Sequence, residues 1–209
     1  MSTPSRQRLI EQAAKEFLAH GFSGANVDRI AEAAHVSKKT LYKMVSTKAE
    51  LFTLVVSEHI QGLASPDLML APDEADPRAA LRRSLLALAD LALSPAGLAG
   101  HRLVMRDGAN FPELIEANNR PIMPYVHSLI GWLAEQTRRG WLDLASPEWA
   151  AQMLLNMVLM DERRNAILGL APPPDAETRA RRVDQALDLF LNGAQARRDP
   201  APAPVRGPG

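Results

Sequence analysis

The segment Ser37-Lys38-Lys39-Thr40-Leu41-Tyr42-Lys43 gathers ammonium and hydroxyl groups around a single apolar residue. On a short helix with Leu41 turned inward, the cations and hydroxyls share the outer surface. That chemistry suits a nucleic-acid duplex: ammonium groups neutralise phosphate or donate to guanine O6 and N7, and hydroxyls hold the backbone in register. A solvated basic helix face is the plain alternative. The setting favours the duplex. Residues 26–51 read as two short helices, a tight turn and the start of another helix, the layout by which a helix-turn-helix presents its reading helix. Two further cations belong to this set. Lys48, at a helix N-terminus, is placed for phosphate, and Arg6 for the DNA backbone or minor groove, against the reading of Arg6 as a frayed terminal side chain.

These side chains need a scaffold, and the chain spells one in helices. Leu9, Ile10, Ala13, Ala14, Phe17 and Leu18 form an amphipathic stripe over 6–19, stopped by Gly21. Asn26 caps the next helix, with Asp28 in its first turn and Ile30, Ala31 and Ala34 inward. His35-Val36 makes the turn and Ser37 caps the reading helix. Thr47 and Glu50 form a capping box that opens a long helix through Leu51, Leu54 and Val55. Residues 65–77, rich in Pro and Asp, predict a loop. Helices are predicted at about 78–93, then at about 95–107 behind Ser94-Pro95, and over 111–139 with breaks near Pro121 and Pro124 and a stop at Gly140. Ser146-Pro147 starts a helix of about 147–168 ending at Gly169, and Asp175 opens the last, ending at Gly193. The expectation is an all-α chain of about nine helices with no strand and no internal repeat. The divisions are 1–50 for the DNA-facing head, 51–193 for a helical body and 194–209 for a disordered tail of Ala, Pro, Gly and Arg.

Composition agrees and excludes. Apolar residues make up 46% of 209, with Ala and Leu dominant and aromatics at 5%, which favours helices around a sizeable core. The chain has no cysteine, so disulfides and thiolate metal sites are ruled out. The polar start MSTPSRQR lacks an apolar leader, and the most apolar helical stretch, around Met153 to Met160, is too short to span a bilayer. A cytoplasmic, nucleoid-associated bacterial protein is expected, with no membrane partner. Net charge is zero, yet residues 1–48 hold eight Lys or Arg against four acids, leaving the head at +4 and the remainder at −4. A basic head on an acidic body is the footprint of a protein that meets phosphate with the head alone.

The first fifty residues resemble the DNA-binding domain of TetR-family transcriptional regulators. The matching residues are the first stripe through Phe17, Gly21-Phe22, Val27 to Ala34, Val36 through Tyr42, and Lys48 to Leu51. The resemblance implies that Thr40 and Tyr42 contact phosphate or base edges and that Lys39 and Lys43 enter the major groove. Three departures stand out. His35 sits where the family has Gly. Ala25-Asn26 replaces a family threonine, passing its phosphate or cap role to Asn26. Met44-Val45 replaces an aromatic pair, which implies a looser head. Arg102-Leu103-Val104 followed by Asn110 through Leu114 resembles the AefR-like subset, and implies that residues 55–193 bind an inducer and dimerise through the last two helices.

Under that resemblance, Met105, Phe111, Met123, Val126, His127, Ile130, Met153 and Met157 are candidates for an adaptable apolar effector pocket. Ordinary core or dimer seam suits the set equally, and for any one of them core is the better reading. Met153, Met157, Met160, Val183, Leu187, Phe190 and Leu191 are candidates for the dimer seam. Glu32-Ala33-Ala34-His35 is half of a di-iron motif and has no second half, so it makes no site. His101, His127 and Asp107 form a polar or metal site only if folding brings them together; no metal or cofactor is expected. Enzyme signatures such as G-x-S-x-G, H-E-x-x-H or a phosphate-binding glycine loop are absent. The sequence thus predicts a dimeric, effector-responsive repressor of a near-palindromic double-stranded operator, released by a small, mostly apolar molecule. The alternative is a structural DNA binder with no effector pocket.

Overall fold

A computed structural model describes residues 3–63, 66–71, 73 and 75–194. Among them are ten α-helices, one 3-10 turn at Pro66–Leu68 and no strand. In chain order the helices are α1 (Thr3–Gly24), α2 (Val27–Ala33), α3 (Lys38–Tyr42), α4 (Lys48–Leu63) and α5 (Pro77–Leu93). There follow α6 (Pro95–Asp107), α7 (Pro112–Asn119), α8 (Met123–Arg138), α9 (Pro147–Leu168) and α10 (Ala176–Ala194). The tenth helix arises because the stretch over 111–139 is two helices, with Pro121 in the turn and Pro124 in the first turn of α8. The tail from 195 lies outside the described residues, and Ala194 still belongs to α10.

Local chemistry sets the boundaries. Ser94, Ser146 and Asp175 accept from Gly97 N (3.0 Å), Trp149 N (3.2 Å) and Thr178 N (2.8 Å), starting α6, α9 and α10 where the cap residues predict. Gly169 ends α9 with φ 70° and ψ 19°, a left-handed stop. α1 is interrupted at Gly21 (φ 73°, ψ 179°), a conformation that glycine alone adopts freely, and turns on to Gly24. His35, standing where the family has Gly, has φ 54°, the one non-glycine residue with positive φ among those described.

Two apolar clusters hold the helices. The body cluster joins α5, α8, α9 and α10 around Trp132, Leu85, Leu133, Leu154 and Leu187. An antiparallel ladder of ion pairs fastens α10 along α5: Arg78–Asp188 at 2.7 Å, Arg82–Asp184 at 2.6 Å and Arg179–Asp90 at 2.8 Å. The head cluster is built on Leu9, Phe17, Phe22, Ile30, Leu41, Val45 and Phe52. It does not stop at residue 50, because Leu103 of α6 and Leu114 and Ala117 of α7 are buried in it. Phe22 packs on Phe17 and Phe111 at ring separations of 6.0 and 5.2 Å, and Phe52 meets Phe17 edge-on at 5.3 Å. Four phenylalanines thus meet where α1, α4 and the start of α7 join. Val45 is buried and Met44 packs at the edge.

Candidate nucleic-acid interface and the cavity behind it

Helix α3 is anchored by one side chain and presents the rest. Leu41 is fully buried. Ser37 Oγ accepts from Thr40 N at 3.0 Å and lies 2.8 Å from the Thr40 hydroxyl, so Ser37 and Thr40 hold each other at the helix start. Asn26 does the same for α2, accepting from Asp28 N at 2.7 Å and Arg29 N at 3.3 Å. Lys38 is paired across the turn with Asp28 at 2.5 Å. Lys39, Tyr42 and Lys43 stand exposed, with Tyr42 53% accessible. Asn26, Ser37 and Lys38 are exposed as well, but each is engaged within the chain, whereas Lys39, Tyr42 and Lys43 make no hydrogen bond or ion pair through their side chains among the described residues.

The other two cations are engaged within the chain. Arg6 forms an ion pair with Glu58 of α4, which ties the start of α1 to the long helix. Lys48 Nζ donates to the carbonyls of Ser23 (3.1 Å) and Ala25 (3.2 Å) and lies 5.0 Å from the Phe22 ring centre. Lys48 therefore braces the α1–α2 corner from the side of α4. A similar brace links Glu16 to Arg29 at 2.5 Å. Burial opposes the charge on Glu16, but the Arg29 hydrogen bond and the Asn26 N–H outweigh it and hold the carboxyl below its usual value.

Where α6 meets the head, Asp107 closes a second corner. Its Oδ2 accepts from Phe22 N at 2.6 Å, and its Oδ1 accepts from Arg106 Nε at 3.1 Å. Burial pushes the Asp107 carboxyl up, yet the Arg106 guanidinium and the Phe22 N–H bring it below its ordinary value. The Gly21 backbone runs directly under this pair, so a Cβ there would collide with the Arg106 guanidinium.

Behind the head lies a cavity of about 580 Å³ walled by α1, α4, α5, α6, α7, α8 and α9. Its lining is mostly apolar, and Phe17, Phe52 and Leu103 belong to both this wall and the head cluster. Of the residues predicted to line a pocket, Val126 and Ile130 do so. The others lie elsewhere. Met105 is 69% exposed on the outer side of α6, and Phe111 packs with Phe22. Met123 and His127 are exposed on α8, Met153 on α9, and Met157 packs on the body cluster. Helix phase explains α9: Ala151, Leu155, Leu159 and Arg163 recur every four residues along the cavity face, leaving Met153 and Met160 on another.

The polar members of the wall escaped the sequence reading, apart from His101. His59 Nε2 lies 2.9 Å from Ser94 Oγ, and burial lowers its pKa. His101 is also lowered, by burial first and then by the neighbouring Arg163 cation. Arg163 Nε is buried without a hydrogen-bond partner. The only sequence signal for Arg163 was its place at the end of the Ala151-Leu155-Leu159 stripe. Among the described residues no group of three His, Asp or Glu could hold a metal ion, so His101, His127 and Asp107 make no metal site.

The apolar side chains expected at a dimer seam divide by face. Val183, Leu187 and Leu191 are buried in the body cluster, because α10 turns that stripe toward α5 and α9, and Phe190 and Met157 pack beside it. Met153 and Met160 point outward at 57% and 52% exposure, joined by Trp149 at 66% and Leu189 at 70%. No helix among the described residues is long and apolar enough to cross a membrane.

Comparison with known proteins gives this arrangement a family. Residues 9–55 match the family model described as bacterial regulatory proteins, tetR family, and residues 79–193 match the AefR-like transcriptional repressor, C-terminal domain. The chain is 38% identical over 60 residues to the HTH-type transcriptional repressor SCO4008 of Streptomyces coelicolor, covering 29% of this chain and 31% of that one. It is 34% identical over 85 residues to the HTH-type transcriptional activator FasR of Mycolicibacterium smegmatis, covering 41% and 39%. The chain therefore spans only about a third of the length of the curated relatives it matches. Solved structures extend the likeness over the whole fold. The flavonoid-responsive regulator FrrA superposes with a TM-score of 0.75 at 25% identity, covering 94% of this chain and 100% of that one. A TetR-family regulator from Mesorhizobium loti gives 0.74 at 20% identity, covering 93% and 100%. With a family model matched across more than half its length, this chain belongs to the TetR family of transcriptional regulators, and its C-terminal domain is of the AefR-like kind.

Proposed function

We propose that the chain is an effector-responsive repressor that binds a near-palindromic operator as a homodimer. The observation that carries this reading is the trio Lys39, Tyr42 and Lys43, exposed on a helix whose Leu41, Ser37 and Thr40 are fixed from behind. Each head sets α3 in a major groove, with half-sites about one DNA turn or somewhat more apart. Thr40 and Lys38 sit beside the trio for phosphate, whereas Arg6 and Lys48 act within the head as braces.

The second copy covers the outward face of Trp149, Met153 and Met160 on α9 and Leu189 on α10. Side chains so large and exposed on two neighbouring helices favour burial against their own copies. A small, mostly apolar effector fills the cavity. Its action follows from the shared wall: a ligand that shifts Phe17, Phe52 or Leu103 must disturb the core of the head. α6 carries the same movement, since it lines the cavity with Gly100 and His101 and ends at the Asp107 contact to Phe22. An effector that prefers one cavity shape thereby biases the head position. The cavity argues against the alternative of a structural DNA binder with no effector.

The test is fluorescence anisotropy with fragments from the protein's own genomic neighbourhood, over a range of salt. Affinity is expected to fall steeply with salt while one sequence is preferred. Lys39→Ala is expected to cost about 1–3 kcal/mol and relax discrimination at one base pair if it reads a base, or to flatten the salt slope by about one unit if it meets phosphate. Binding without sequence preference at moderate salt, or affinity unchanged in both Lys39→Ala and Tyr42→Phe, overturns the proposal.

A further inference from the structure

The cavity holds one feature that an apolar effector leaves unexplained. Arg163 projects from the cavity face of α9, and its Nε is buried without a hydrogen-bond partner. Burial lowers its pKa and no carboxylate acts against that shift, although guanidinium remains charged in proteins. Its neighbours are no help. Asp161 and Glu162 turn to Arg182, and His101 beside it adds repulsion when protonated. Among the described residues the one acid in the cavity wall is Glu148. It lies fifteen residues back along α9, about 22 Å away at the rise of a helix, and its Oε2 already accepts from Ser146 Oγ at 2.9 Å. The wall between them presents Ala151, Leu155 and Leu159 with two neutral amides, Gln152 and Asn156, and no further charge. A half-buried guanidinium whose Nε is sealed from water without a partner, and which lacks a counter-ion at the end of a mostly apolar trough, is a costly arrangement for folding and a ready one for an anion.

We propose that the effector is an amphipathic carboxylic acid, its carboxylate paired with Arg163 and its apolar body lying along the α9 face toward Gln152. The acid completes the ion pair that the chain itself omits. Guanidinium and carboxylate match as a two-bond fork, which fixes the direction in which the ligand enters. The inference rests on the cavity being the effector site, and the experiment separates the two.

Calorimetric titration of the full chain with decanoate and decanol, and with cinnamate and cinnamyl alcohol, compares acid and alcohol on matched bodies. At least one acid is expected to bind roughly tenfold or more tightly than its alcohol, as a charge-assisted pair requires. Arg163→Gln should erase that preference and Arg163→Lys should keep most of it. Without ligand, Arg163→Gln should melt above the wild type, and the acid should raise the melting temperature of the wild type but not of the variant. Equal affinity of acid and alcohol for the wild type, a measurement that needs no variant, overturns the inference. So does an acid preference that survives Arg163→Gln. If the alcohols bind and release operator DNA as well as the acids do, the cavity remains the effector site and only the acid inference fails. If neither pair binds, both fail.

Discussion

Replacing Asp107 by alanine removes the acceptor through which α6 holds the head. The Phe22 N–H donates to it at 2.6 Å, and its side chain is only 12% exposed, so water cannot easily take over. A hydrogen bond to an ionised group contributes about 1.5–3 kcal/mol net, and leaving the partner donor buried costs about 1–3 kcal/mol. These are two descriptions of one loss and are not summed. The Arg106 pair adds little, because that guanidinium is half exposed. The expected cost is therefore about 2–3 kcal/mol, a fall of roughly 4–12 °C in Tm for a chain of this size. Asp107→Asn keeps an acceptor and loses the charge, so it should fall between, at about 1 kcal/mol. Urea unfolding with an unchanged m-value measures both.

The pH dependence supplies an independent check. The Asp107 carboxyl lies below its ordinary value of 3.8 in the folded chain, with Arg106 and the Phe22 N–H outweighing burial. A depressed acid contributes stability that is fully present above its unfolded value and is lost as pH falls through the folded one. The difference between wild type and Asp107→Ala should thus be constant near neutrality and shrink on acidification below about 4. A variant within about 0.5 kcal/mol of wild type at neutral pH, the range of ordinary surface substitutions, would refute the assignment of α6 as the strut of the head.

Other expectations follow from single positions. Gly21→Ala forces a side chain onto φ 73°, ψ 179° and into the Arg106 guanidinium, and should destabilise by about 2–3 kcal/mol or more in the same urea assay. His35→Gly relieves a left-handed residue at φ 54°, gaining about 1–2 kcal/mol against roughly 0.5–1 kcal/mol of added chain entropy. A small rise in Tm is expected there, whereas His35→Val should lower it. Met153→Glu combined with Leu189→Glu places like charges on exposed positions of α9 and α10 and should shift the proposed dimer toward monomer in light scattering without loss of helicity. An unchanged dimer mass would move the interface elsewhere.

How far the sequence could be read depends on the range of each interaction. Ser94-Pro95, Ser146-Pro147 and Asp175 announce helix starts because a cap bonds within three residues. His35 stands where the family has Gly, and its left-handed backbone is set at that one position. The sequence reads Lys48 and Arg6 only as cations for phosphate, because the partners they meet within the chain lie 25 and 52 residues away, beyond any local pattern. The methionines show a third limit. Composition marks Met105, Met153 and Met160 as adaptable apolar surface, but only the packing of α6 and α9 decides that they face outward. Val183, Leu187 and Leu191 have the reverse history, a seam in the sequence and a core in the fold.

Arg163 is the sharpest case. In Glu162-Arg163-Arg164 three charges stand in a row, the ordinary look of a solvated helix face. The fold gives Glu162 to Arg182 and Arg164 to Asp161, and leaves Arg163 half-buried on the cavity wall with its Nε unpartnered. Selection for stability by itself removes such a residue, since an apolar side chain of similar volume there would end the desolvation cost. Its position beside a cavity of about 580 Å³ makes a second departure from close packing at the same place. Two departures that a single ligand would repair together point to a binding site rather than to two separate defects of folding.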